Sequence, residues 1–150
     1  MKRILSIVIT AILAGVFAFA GLAPASASPR TGALHVTKEC SQYFGNPGEF
    51  CTITSSNLKA IKPGSRVIYT SAAGATGLDT DIVLATGPGN GNRAFGHVVL
   101  DFVTGTGTVT FYGGTGQFRH FHAIAAVSFI GDSTHPDWAW EGTYSFSRLD

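Results

Sequence analysis

Hydrophobic and polar residues alternate along most of this chain, most clearly between residues 105 and 130. Thr108, Thr110 and Tyr112 fall on one face of an extended segment, Val109 and Phe111 on the other. The glycine-rich turn Gly113-Gly114-Thr115-Gly116 follows, and its glycines allow the positive φ angles of a tight reversal. A second alternating strand is predicted to leave that turn at Phe118. Upstream, residues 34–38, 50–55, 65–71, 79–86 and 93–104 read as strands, divided by turn signals such as Pro63-Gly64 and the Gly/Pro/Asn cluster at 87–92. Residues 138–148 form the last strand. No window beyond residue 27 places apolar residues at i, i+3, i+4 and i+7 between caps, so no helix is predicted there. The expectation is an all-β domain of roughly eight antiparallel strands closed into a barrel, with an interior filled by side chains or holding one small ligand. Closure removes the exposed edges that would aggregate. A two-sheet β-sandwich is the alternative architecture.

The first residues follow a different rule. Lys2 and Arg3 precede an apolar run from Ile4 to Ala23, and Ala25-Ser26-Ala27 fits the small-x-small pattern before a cleaved bond. This predicts a signal peptide over residues 1–27. An uncleaved anchor is the alternative, because the run approaches the roughly 20 residues that span a bilayer. Residues 28–150 then form a single exported domain, secreted and extracellular, with no membrane contact after cleavage. Loss of Lys2 and Arg3 leaves eight Lys and Arg against nine Asp and Glu. That balance suits neither a nucleic-acid partner nor a membrane surface. Both cysteines, Cys40 and Cys51, lie in the exported part, and that compartment predicts a disulfide between them. It would staple a loop whose middle, Gly45-Asn46-Pro47-Gly48, has turn chemistry, for about 3 kcal/mol of stability. Two thiols this far apart, without further ligands, do not make a zinc site.

The run from Gly105 to Phe118, G-x-G-x-x-x-F-x-G-G-T-G-x-F, with Phe118-Arg119 after the turn and Trp140-Glu141-Gly142-Thr143-Tyr144-Ser145-Phe146 near the end, resembles the barrel of allene oxide cyclases and plant dirigent proteins. It looks closer to small secreted bacterial relatives of that barrel. The resemblance covers about the last half of the exported part. It implies an eight-stranded antiparallel barrel with a central apolar cavity that uses no metal or cofactor. In the plant families that cavity cyclises an unsaturated fatty-acid epoxide or steers the coupling of phenolic radicals. The chain departs from the dirigent pattern after Phe118-Arg119, where His120-Phe121-His122-Ala123 replaces the usual F-R-x-x-x-G. The resemblance therefore transfers the fold and not the chemistry.

Candidate chemistry sits on the strands. His97 and Asp101 share a face and could orient one another for proton transfer. The plainer reading leaves them in solvent, with Val98, Leu100 and Phe102 in the core. His120 and His122 share the face opposite the apolar stripe of Phe121, Ala123, Ala125, Val127 and Phe129. They are the residues to test as catalytic groups. Metal binding would need a third ligand such as His97 or Glu141, and nothing in the spacing demands one. Tyr69 and Tyr112 would each give a cavity a polar handle, and Trp140 belongs to an aromatic strip with Trp138, Tyr144 and Phe146. Tyr69, Tyr112, His97 and Trp140 are accordingly the candidate ligand contacts. Each also has a structural reading, as a core aromatic or a solvated group. Glu141 falls on the face opposite the aromatic strip. No nucleophile motif or phosphate loop before a helix is present.

Three functions remain open at this point. The first is a binding module for a small apolar or phenolic molecule in or at the barrel. The second is a cofactor-free cyclase or isomerase working by confinement. The third is a packed structural or interaction barrel without a ligand. The fold alone does not choose among them, and the sequence does not set the oligomeric state.

Overall fold

Each alternating segment becomes a wall of one barrel. The computed structural model describes residues 30–89 and 91–147; the expected signal peptide, residues 1–27, lies outside the described residues. Eight strands follow in chain order: β1 (Thr31–Glu39), β2 (Phe50–Ser56), β3 (Arg66–Tyr69), β4 (Gly77–Ala85), β5 (Arg93–Asp101), β6 (Thr106–Gly114), β7 (Phe121–Phe129) and β8 (Asp137–Phe146). Each pairs antiparallel with the next, and β8 returns to β1 from Thr31↔Ser145 to Glu39↔Asp137. That last ladder closes the barrel and excludes the two-sheet sandwich.

Alternation fixes what points inward. Leu78, Thr80, Ile82 and Leu84 of β4 are buried, while Asp79 and Asp81 between them face solvent. Phe121, Ala123, Ala125 and Val127 of β7 are likewise buried, as the sequence stripe predicts. Rings fill much of the interior. Phe111 lies 5.6 Å from Trp140 and 5.5 Å from Phe121, and Phe121 lies 5.3 Å from Phe118. Gly96 makes room for this cluster. A Cβ there would lie 2.5 Å from the Thr110 carbonyl oxygen and 2.8 Å from the Phe111 ring.

Two registers shift. Between β1 and β2, Thr37 pairs with Ser55 and Lys38 with Ile53, leaving Thr54 as the extra residue. Between β5 and β6, Phe95 pairs with Gly113 and Gly96 with Phe111, leaving Tyr112 as the extra residue. Both are β-bulges, which bend the strand and raise its local twist. The second one corrects the expected hairpin. Gly113 does take a positive φ, of 146°, but it absorbs the bulge inside β6. The reversal itself comes later, through a single 3-10 turn, Gly116–Phe118, and β7 begins at Phe121. Phe118 is buried in that turn and starts no strand.

The antiparallel meander gives the barrel two unlike ends. Loops 40–49, 70–76, 102–105 and 130–136 meet at one end, closed by the disulfide between Cys40 and Cys51. Loops 57–65 and 115–120 and the β4–β5 connection meet at the other. Among the described residues, Arg30, Lys59, Lys62, Arg66, Arg93 and Arg119 all lie at this second end. Glu39, Glu49, Asp101, Asp132 and Asp137 all lie at the disulfide end. The basic end carries no acid among the described residues.

Candidate functional site

The sequence-picked residues separate into an inside and an outside set. Tyr69 and Trp140 are inside, 2% and 1% exposed. They come together around a residue that the sequence reading passed over, Lys38. Its position follows from the alternation Leu34, Val36, Lys38 on the inner face of β1. The side chain is 1% exposed. Its Nζ donates to Tyr69 Oη at 2.5 Å and to Cys51 Sγ at 3.8 Å, and lies 5.2 Å and 5.4 Å from the ring centres of Tyr69 and Trp140.

Lysine is almost never sealed without a charged partner, because an isolated ammonium in apolar surroundings is costly. The group neutralises instead. Burial lowers the Lys38 pKa from 10.5 to about 7, and burial first, then the neighbouring Tyr43, raises that of Tyr69. The pair is thus a neutral amine beside a neutral phenol just above pH 7, and a ring-stabilised ammonium below it. The Trp140 indole N–H is also buried, with no hydrogen-bond partner among the described residues.

This cluster lies just under the disulfide end. Tyr43, from the loop that the disulfide closes, stacks over Tyr69 with ring centres 4.4 Å apart. Its hydroxyl is buried without a partner among the described residues, and burial, with a lesser contribution from Glu49, raises its pKa. The Glu49 carboxylate holds the loop in shape by accepting from the Phe44 and Asn46 backbone N–H groups and the Asn46 side chain. Those donors, Asn46 foremost, keep its pKa below the usual carboxylate range. Above Tyr43 lies a groove of about 450 Å³ lined by Tyr43, Phe44, Ala73, Phe102, Pro136 and Trp138. Phe44 on its lining is 78% exposed, and at the same end of the barrel Val103 is 79% exposed, with Phe129 and Ile130 also open to solvent. Phe102, expected in the core with Val98 and Leu100, is here as well. β5 ends at Asp101, so Phe102 stands at the mouth, 37% exposed.

The remaining candidates stand outside. His97 lies on the outer wall, its ring between two carboxylates: Nδ1 is 2.8 Å from Asp81 and Nε2 is 2.9 Å from Asp79. The bond to Asp81, above all, raises its pKa. Asp101 takes no part in this, because its carboxylate accepts from the Val103 and Thr104 backbone N–H groups in the next turn. Tyr112 and His122 meet in an outer groove of about 340 Å³ along β6, β7 and β8. His120 sits in the turn before β7, half-buried. Glu141 faces solvent and pairs with His35 across β1 and β8.

No family model matches the chain, and no curated protein matches it. Among solved structures, that of a pterocarpan synthase dirigent protein aligns with 84% of this chain and 96% of its own, at 13% identity and a TM-score of 0.47. The barrel assigned here stands on this chain's own strand pairing.

Proposed function

We propose that this protein is an exported barrel that binds a small, largely apolar molecule at its disulfide-loop mouth. The apolar body of the ligand rests against Tyr43, Phe102 and Trp138. One polar atom, a carbonyl or phenol oxygen, is directed toward Lys38 and Tyr69 once the Tyr43 ring swings aside. The observation that carries this reading is a lysine sealed in an apolar barrel one aromatic ring below an aromatic mouth. A barrel built for stability alone gains by replacing such a group with an aliphatic side chain. A titratable pair under a concave apolar site is what recognition of a polar-tipped ligand uses. The packed rings around Trp140 direct the ligand to the mouth and not to the middle of the barrel.

The cyclase alternative is favoured by the same amine, since a lysine that is neutral near pH 7 serves as a base. On this geometry it would draw on Lys38 and Tyr69, while His120 and His122 stay off the interior.

The neutral fluorophore N-phenyl-1-naphthylamine tests the mouth directly. Its emission should rise on binding the full chain, and the doubly substituted Phe102→Ala/Trp138→Ala variant should weaken binding several-fold. Equal binding by both proteins, or none by either, would overturn the reading. Turnover of an allylic epoxide by the wild type that disappears in Lys38→Met, with fluorophore binding kept, would favour the cyclase.

A further inference from the structure

A second groove lies at the opposite end of the barrel, on its outer wall. Three neighbouring strands set its floor in one lateral row, with Arg66 of β3 opposite Ala85 of β4, and Ala85 opposite Arg93 of β5. Two strand spacings separate the arginine backbones, about 10 Å. Ala85 carries only a methyl group, so the row is high at both sides and low in the middle. The resulting space is about 500 Å³, bounded by Arg66, Ile68, Ala85, Arg93 and the Gly87–Gly89 turn.

Both arginines are held, and neither is paired with an acid among the described residues. The Arg66 guanidinium lies 4.4 Å from the centre of the Phe50 ring, which fixes its plane. Arg93 is pinned through its backbone, its N–H donating to Thr115 Oγ1 at 3.2 Å and its carbonyl accepting from the Thr115 N–H at 2.8 Å. Its side-chain Nε is buried and has no hydrogen-bond acceptor among the described residues. A buried donor left without an acceptor is uncommon and asks for an explanation. The acids on β4 do not supply one. Asp79 and Asp81 are committed to His97, and Asp81 is four residues from Ala85, about 13 Å along the strand. Arg30, Lys59, Lys62 and Arg119 add positive charge around this end, and no acid of the described residues offsets it.

We propose that the Arg66–Ala85–Arg93 groove is a binding site for a tetrahedral oxyanion, a phosphate or sulfate group. Arg66 and Arg93 both line the groove, and their guanidiniums offer N–H forks to such a group, which has enough oxygens to accept from both. A single carboxylate would satisfy one fork and leave the other idle. The surrounding cations raise the local anion concentration without selecting it. The site is at the far end from the aromatic mouth and stands independently of it.

Titration of the full chain with inorganic phosphate and with sulfate, followed calorimetrically and by amide NMR, tests the site. Arg66→Gln, Arg93→Gln and Ala85→Leu should each weaken binding at least tenfold. Ala85→Leu fills the floor and keeps both charges, so its effect separates a shaped site from diffuse charge. The paired substitution Lys59→Gln/Lys62→Gln, which removes charge elsewhere at the same end, should change affinity less than twofold. Vesicles containing phosphatidylglycerol form a second arm. Vesicle binding that follows the three groove variants places the group on a lipid headgroup. Phosphate binding without vesicle binding places it on a soluble molecule, and either result supports the site. Absence of phosphate and sulfate binding at millimolar concentration would overturn the proposal. So would weakening by the lysine pair with none from Ala85→Leu.

Discussion

Lys38 is the residue on which strand geometry and chemistry meet. Its burial has a thermodynamic signature with a definite sign. The unfolded lysine holds its proton up to about pH 10.4, whereas the folded one releases it near 7. Between those values the unfolded state binds more protons, so stability rises with pH. Below pH 7 the full cost of the buried ammonium is present. Above about 10 the trend reverses, because Tyr69, whose pKa is raised in the fold, keeps a proton that the unfolded phenol loses. At about 1.4 kcal/mol per pKa unit the rise amounts to a few kcal/mol. Lys38→Met should therefore be more stable than wild type at pH 6 in urea denaturation and lose most of the rise toward pH 9.5. A wild-type profile that is flat over that range, or a variant that keeps the slope, would contradict the assignment. The strand over residues 34–38 was legible in the sequence, but its inward face, Leu34, Val36 and Lys38, shows only in the structure. What hid the lysine is that a terminal Lys on a strand is ordinarily solvated. Only the register with Trp138, and closure by the loop of Tyr43, seals it.

At the scale of elements, strands read well from alternation, and turns read less well. The β4 pattern of acids and aliphatics and the apolar stripe of β7 as far as Val127 appear in the structure as the sequence orders them, whereas Phe129, expected in that stripe, is exposed at the strand's end. The glycine cluster at 113–116 does not follow the sequence reading. A run of glycines states that unusual backbone is allowed, not whether it is spent on a bulge or a reversal. Here Gly113 absorbs the bulge that leaves Tyr112 unpaired, and the reversal waits for Gly116–Phe118. Gly96, on the facing strand, was silent in the sequence because its role depends on Phe111 across the ladder. Gly96→Ala would drive a methyl into the Thr110 carbonyl and the Phe111 ring. It should cost about 2 kcal/mol, measured as a drop in the denaturation midpoint with the slope unchanged. A neutral or stabilising result would show that the β5–β6 ladder is loose enough to take the methyl group.

For the whole molecule, closure turns a list of strands into an object with two ends, and the two proposed sites fall at opposite ones. The barrel itself was legible from strand number and from the resemblance of residues 105–118 to known barrels. The segregation of charge was not. Alternate loops of a meander go to opposite ends, so cations at 59, 62 and 119 look scattered in sequence and become neighbours once the tube is rolled. The same rolling gathers Phe44, Phe102, Val103, Phe129 and Ile130 at the acidic end, over the disulfide loop. The account of the mouth rests on one buried amine beneath that rim. Its most direct test is the NMR titration of the full chain labelled with carbon-13 at lysine Cε, with Lys38 assigned by the Lys38→Met spectrum. The account predicts that Lys38 titrates near pH 7. A Lys38 that keeps its proton up to about pH 10, as an unfolded lysine does, would place it in solvent and remove the site.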